Sequence, residues 1–180
     1  MNLMISKVVS LSVPVDVLCY ATAECALGQV LIARSQKGVC AILMADTPEE
    51  LEMDLAACFP QASLVANEAV IRGDLAKVIR FVDEPAGGLK LTLDRRGTPL
   101  QRRVWEKLRA IPLGRTATYM EVARWISPFA TPLAVAGACA ANSIALAIPC
   151  HRVVDSNGDL AGYRWGLERR RELLRREAVA

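Results

Sequence analysis

The chain has 180 residues but only one histidine, His151, and no CxxC pair among its six cysteines. One imidazole cannot complete a zinc site of paired cysteines and paired histidines. Scattered thiols in apolar settings do not make an all-cysteine site either, so no metal is expected. No apolar run is long enough to span a bilayer, which excludes a membrane-spanning helix. The leading MNLMISKVVSLSVPVDV lacks the basic, apolar, small-residue order of an export signal. It is read as a lead-in or a first strand. Without an export signal the six thiols are expected to be reduced and the compartment cytoplasmic. Charge of one sign is scarce in each half. Residues 1–94 carry 7 basic and 12 acidic groups (net −5), and residues 95–180 carry 15 basic and 7 acidic groups (net +8). A basic half suits a polyanion partner, and it equally suits the solvated face of an ordinary domain.

In the first half, Leu18–Tyr20, Gln29–Arg34 and Val39–Met44 have the composition of strands, with Ser35-Gln36-Lys37-Gly38 as a hairpin turn. Thr47-Pro48-Glu49-Glu50 is a helix start with a capping threonine and proline at the first helical position. Leu51, Leu55 and Cys58 follow on one face, and Phe59-Pro60 ends the helix. A second helix is predicted over about 68–82, burying Ile71, Leu75, Val78, Ile79 and Val82. Alternating Leu89, Leu91 and Leu93 predict a half-buried strand. This half contains no catalytic constellation and reads as an α/β scaffold, joined by a linker at about 94–97.

In the second half, Thr98-Pro99-Leu100-Gln101 and Thr118-Tyr119-Met120-Glu121 are capping boxes opening two helices. Val104, Leu108 and Ile111, with Trp105 beside them, form the first helix's apolar stripe. A further helix over about 133–142 starts at Thr131-Pro132. Two short helices joined by a brief turn suggest a helix-turn-helix, a pattern that plain αα corners share. The second of the pair carries Ala134, Ala136, Gly137, Ala138, Ala140 and Ala141. Lacking the Arg, Asn or Gln that read base edges, it suits close, shape-based groove contact or tight packing on the protein's own core. Asn157-Gly158 marks a tight turn. The last helix runs over about 167–177, with Leu167, Leu173 and Leu174 as its apolar stripe and arginines interleaved with Glu168 and Glu172.

Between these lies Ile148-Pro149-Cys150-His151-Arg152-Val153-Val154. A thiolate is the reactive form of cysteine, and an adjacent base favours it, although most buried cysteines are inert packing. The hexapeptide PCHRVV resembles the active-site signature of the O6-alkylguanine-DNA alkyltransferases. The segments RGTPLQRRVW, IPLGRTATY, ACAAN, GYRWG and LLRREA extend the resemblance, in order and spacing, over about 18–178. It is closest to the repair half of the Ada-type members.

The resemblance implies a ribonuclease-H-like α/β domain over 1–94, of structural role. It implies a mainly α domain over 95–180, with a winged-helix-like helix-turn-helix for the DNA minor groove. It implies single-turnover transfer of the alkyl group from O6-alkylguanine in double-stranded DNA to Cys150, after base flipping, by a monomer without a cofactor. His151 corresponds to the residue that takes the thiol proton through a water, Glu177 to the acid that orients it, and Asn142 to the residue that holds the active-site turn. Tyr119 corresponds to the tyrosine that hydrogen-bonds the flipped base. The carbonyls of Cys150 and Val153 correspond to those that read guanine's exocyclic amine. Tyr163 and Arg164 fall in the loop covering the base, and Trp165 is expected to narrow the pocket against benzyl-sized groups. Thr131, Leu133, Ala134, Gly137, Ala138, Ala141 and Arg152 are the expected DNA contacts. Leu133 stands where the family carries an arginine finger, which predicts weaker DNA binding or slower flipping. Leu113 stands where Tyr or Cys is common. No zinc-bearing regulatory domain of the Ada kind is recognised, so a transcriptional role is not expected. Two other readings are a non-catalytic lesion-binding relative, which would lack the cysteine, and a helix-turn-helix regulator.

Overall fold

A computed structural model describes residues 16–160 and 162–180; the reading of the N-terminal segment as a lead-in or strand falls on residues outside these up to position 15. In chain order the elements are β1 (Val17–Cys25), β2 (Gly28–Ser35), β3 (Gly38–Ala45), α1 (Pro48–Cys58), β4 (Ser63–Ala66), α2 (Glu68–Asp83), α3 (Pro99–Arg109), β5 (Ala117–Thr118), α4 (Tyr119–Ile126), α5 (Pro132–Ala140), β6 (Val153–Val154) and α6 (Leu167–Ala178). Short 3-10 turns cover Pro85–Gly87 and Cys150–Arg152. Among the described residues no helix is long and apolar enough to cross a membrane.

The first half is a mixed sheet in the order β3-β2-β1-β4, with α1 packed on β2 and β3 and α2 on β1 and β2. The meander β1-β2-β3 is antiparallel, and β4 joins β1 in parallel register, Val17 facing Ser63. Consecutive residues of β3 from Gly38 to Met44 are buried, so both faces of this strand are covered. Gly38 closes the β2–β3 turn at φ 144°, and a Cβ there would lie 2.5 Å from the Thr92 carbonyl oxygen. That contact leaves no room for a larger residue.

The predicted helix starts form as written. Thr47 accepts from the Glu50 N–H at 3.3 Å and Thr98 from the Gln101 N–H at 3.2 Å, each with the reciprocal bond of a capping box. Three expectations need correction. β4 has no counterpart in the sequence reading; four residues without an alternating pattern carry little signal until β1 supplies a partner. Leu89, Leu91 and Leu93 pack against the core, but only Leu93 makes a bridge, to Val39. The stripe on α6 is also different: Leu167 is exposed and Leu174 half-buried, while Leu173 is buried together with Arg170 and Glu177.

The outward edge of β3 is taken up by two later segments. Near its start, the Val39 N–H donates to the Thr92 carbonyl at 2.9 Å, and the Val39 carbonyl accepts from the Asp94 N–H at 2.8 Å. Further along, the Ile42 N–H donates to the Ser143 carbonyl at 2.9 Å and the Ile42 carbonyl accepts from the Ala145 N–H at 3.0 Å. The Ser143 hydroxyl donates to the Cys40 carbonyl at 3.1 Å. The run leading to Cys150 is thus hung on the sheet of the first half. Buried residues of both halves form one contiguous cluster, from Leu18 to Leu173. In the second half α3, α4 and α5 pack on one another, and β5 and β6 form a two-stranded parallel pair.

Candidate active site

Cys150 opens a 3-10 turn between the irregular run 144–149 and β6. Leu146, buried within that run, has φ 67°, a left-handed conformation that costs a side-chain-bearing residue free energy. The surrounding bonds hold it there: Ala147 N–H to Ala145 carbonyl at 2.7 Å, Ile148 N–H to Ile144 carbonyl at 3.1 Å, Cys150 N–H to Ile148 carbonyl at 2.8 Å. Asn142, fully buried just past α5, pins the turn from the other side. Its Nδ2 donates to the Ile148 carbonyl at 3.0 Å and to Cys150 Sγ at 3.3 Å, and its Oδ1 accepts from the Ile144 N–H at 2.9 Å.

His151 and Glu177 are buried, with Nε2 and Oε1 2.8 Å apart. Arg152 is buried beside them. Its Nε and Nη2 donate to the two Glu177 oxygens at 2.8 and 2.9 Å, and its Nη1 donates to the Ile111 carbonyl at 2.6 Å. Burial works to raise the Glu177 carboxyl, but the hydrogen bonds from His151 and Arg152 outweigh it and hold it at about 2. Burial pushes His151 down, against the pull of Glu177, so the imidazole rests neutral. A neutral ring facing an ionised carboxylate carries its proton on Nε2. Nδ1 is then a bare acceptor, buried and without a hydrogen-bond partner among the described residues. Burial raises the Cys150 thiol; the Asn142 hydrogen bond and the Arg170 charge act against that rise. The resting group is therefore a protonated thiol, poised to lose its proton only when a base is engaged.

Cys150 lies in a pocket of about 530 Å³, lined by Tyr119, Ala136, Cys139, Ala140, Gly162, Tyr163 and Arg164. Tyr119 is half-buried at the start of α4, and burial raises its phenol. Tyr163 also lines the pocket, its hydroxyl buried without a hydrogen-bond partner among the described residues. Arg164 reaches from the loop to Asp54 at 2.6 Å and Cys58 Sγ at 3.0 Å on α1, and to the Asn142 carbonyl at 3.4 Å. Trp165, expected to narrow the pocket, is not among its lining residues. It is buried edge-on to Tyr163, with ring centroids 5.2 Å apart.

Two other expected site residues, Arg152 and Ala138, take different positions. Arg152 faces inward, its guanidinium bound to Glu177 and Ile111, so it is no surface contact for a phosphate. Ala138 is buried and its carbonyl accepts from Trp105 Nε1 at 2.8 Å, which places it on the core face of α5. The carbonyls of Cys150 and Val153 each accept one bond within the protein, from the Val153 N–H and from Arg170 Nη2, which leaves each a second lone pair. The outward side of α5 does carry Thr131, Gly137 and Ala141, exposed, with Ala134 half-exposed. Leu133 there is 82% exposed, and Phe129 in the preceding turn is 91% exposed.

Arg170 is hidden in the charge pattern of α6. It is buried, donates to the carbonyls of His151 at 3.3 Å and Gly162 at 3.5 Å as well as to Val153, and lies over the Tyr163 ring. It ties α6 to the active-site turn and to the loop walling the pocket. The spacing 170, 173, 177 puts Arg170 on the same helical face as Leu173 and Glu177, the one signal that singles it out from its neighbours.

A family model for the DNA-binding domain of 6-O-methylguanine DNA methyltransferase matches residues 99–179. The Escherichia coli bifunctional transcriptional activator/DNA repair enzyme Ada is 45% identical over 159 residues, covering 88% of this chain and 45% of that protein. The methylated-DNA--protein-cysteine methyltransferase of Candida albicans is 34% identical over 163 residues, covering 90% of this chain and 85% of that protein. The crystal structure of Mycobacterium tuberculosis O6-methylguanine methyltransferase superposes with a TM-score of 0.72 at 31% identity, covering 90% of this chain and 93% of that one. A structure of the M. tuberculosis protein in complex with DNA gives 0.73 at 29% identity, covering 89% and 93%. The chain spans less than half the length of the Ada proteins it matches.

Proposed function

This chain belongs to the 6-O-methylguanine DNA methyltransferase family, and we propose that it repairs double-stranded DNA by moving the alkyl group of O6-alkylguanine irreversibly onto Cys150. The observation that carries the reading is the Cys150 thiol held by Asn142 at the wall of a base-sized pocket, with the buried His151–Glu177 pair next to it in the chain.

In this reading the substrate guanine is flipped into the pocket. His151 Nδ1 takes the Cys150 proton through a water, and Glu177, held by Arg152, keeps the ring in the Nε2–H tautomer and stabilises the imidazolium. Sγ attacks the alkyl carbon, the carbon–O6 bond breaks, and the departing guanine is stabilised by the Tyr119 hydroxyl. The thioether has no route back, so each molecule acts once. Tyr163 covers the base, and Trp165 limits alkyl size by backing Tyr163. Residues 1–94 serve as a ribonuclease-H-like support and residues 95–180 carry DNA binding and chemistry. The α4–α5 pair is a winged-helix-like helix-turn-helix, presenting Thr131, Leu133, Ala134, Gly137 and Ala141 to the minor groove. The protein works as a cytoplasmic monomer without a cofactor.

The test is intact-protein mass spectrometry after mixing with duplex DNA holding one O6-methylguanine. One methyl gained, mapped to Cys150 and absent in Cys150→Ala, is the expected result. Binding without any methyl gain would instead make the chain a non-catalytic lesion-recognition protein.

A further inference from the structure

Cys139 lines the same pocket as Cys150. It lies on the last turn of α5, and the helix presents Ala136, Cys139 and Ala140 to the pocket as one i, i+3, i+4 face. The adjoining face, Val135 and Ala138, is in the core. One turn after Cys139 comes Asn142, whose N–H donates to the Cys139 carbonyl at 3.2 Å and whose side chain bonds Cys150 Sγ at 3.3 Å. Two free thiols therefore border one chamber, tied together through a single asparagine.

We propose that Cys139 is a second alkyl-accepting site, which captures the far end of a two-carbon bifunctional alkyl group after Cys150 has taken the near end. The substrate class is DNA carrying O6-(2-haloethyl)guanine, and the step rests on the reading that Cys150 is the first acceptor. Transfer leaves Cys150–S–CH2–CH2–Cl. The sulfur lone pair displaces chloride and closes a three-membered episulfonium ring. Cys139 Sγ attacks one ring carbon, and that carbon's bond to the Cys150 sulfur returns its electron pair to the sulfur. The product is Cys150–S–CH2–CH2–S–Cys139, with the Cys139 proton and the chloride lost as HCl.

Water competes for the same episulfonium and would leave a hydroxyethyl group. A nucleophile fixed in the same pocket has the advantage, since well-oriented intramolecular groups reach effective molarities on the order of 10⁵–10⁸ M. Burial pushes the Cys139 thiol up, so it stays protonated and unreactive in the resting protein.

No Lys or Arg lies between Arg124 and Arg152, so trypsin releases both cysteines in one peptide, 125–152. The protein is reacted with duplex DNA containing O6-(2-chloroethyl)guanine or O6-methylguanine, denatured, labelled with iodoacetamide and digested. The methyl substrate should give this peptide with one methyl and one label. The chloroethyl substrate should give it with an ethylene bridge and no label. A hydroxyethyl group with one label would overturn the second acceptor while leaving Cys150 as the first. Two labels from both substrates would overturn both.

Discussion

At the scale of single residues, the site depends on charges that neutralise one another out of water. Arg152 fills both oxygens of Glu177, leaving the carboxylate one further bond, to His151 Nε2. Removing one partner of a buried pair strands the other, at a cost of about 3–5 kcal/mol. Arg152→Met is expected to lose stability of that order in urea denaturation and to slow alkyl transfer in the fraction that stays folded. An unchanged midpoint would show that Arg152 does not hold Glu177. Cys150, His151, Asn142 and Glu177 are legible in the sequence because their chemistry is stated by residue type within recognisable segments. Arg152 and Arg170 are not, because an arginine's type says nothing of its direction. Five arginines on α6 look alike until packing turns Arg170 inward.

At the scale of elements, α5 divides its small residues among three surfaces: the core with Val135 and Ala138, the pocket with Ala136, Cys139 and Ala140, and the outside with Leu133 and Gly137. A pattern so poor in large side chains cannot announce which face is which, so Ala138, expected outside, lies within. The helix starts are readable because a capping box is a local device of four residues. β4 and the Leu93 bridge depend on distant partners and are not. The outer face bears on binding. Between Tyr119 and Asn142 the only arginine is Arg124, and no lysine occurs. An apolar wedge such as Leu133 can separate base steps, but it neutralises no phosphate. Leu133→Arg should speed repair of duplex substrate and steepen the salt dependence of binding by about one counterion. Titrations at several salt concentrations, paired with single-turnover rates, check both parts, and an unchanged rate on duplex would remove Leu133 as the limiting residue.

At the scale of the whole molecule, buried titratable groups set the pH range of stability. His151 is held below its ordinary 6.5 and Glu177 below its ordinary 4.5. In both windows the unfolded chain binds protons that the folded chain refuses, so stability falls as pH drops through 6.5 and again from 4.5 towards 2. Burial raises Cys150, and pushes Cys40 up to about 12, from ordinary values of 9.0. Above pH 9 the unfolded chain releases protons that the folded chain keeps, and stability falls again. Denaturation midpoints between about pH 4 and 10 should form a plateau from about 6.5 to 9, with Glu177→Gln flattening the lowest part of the acid limb. A midpoint that kept rising from about pH 9 to 10 would contradict this arrangement.

The attachment of the Ser143–Ala145 run to β3 has one more consequence. An uncovered outer strand offers a row of unpaired amides and carbonyls on which a second molecule can add its own strand. Here the backbone that leads into Cys150 also occupies that row at Ile42. A substitution that loosens the run should therefore reveal itself first as self-association, through β3 of neighbouring molecules, before the chemistry of the thiol is lost.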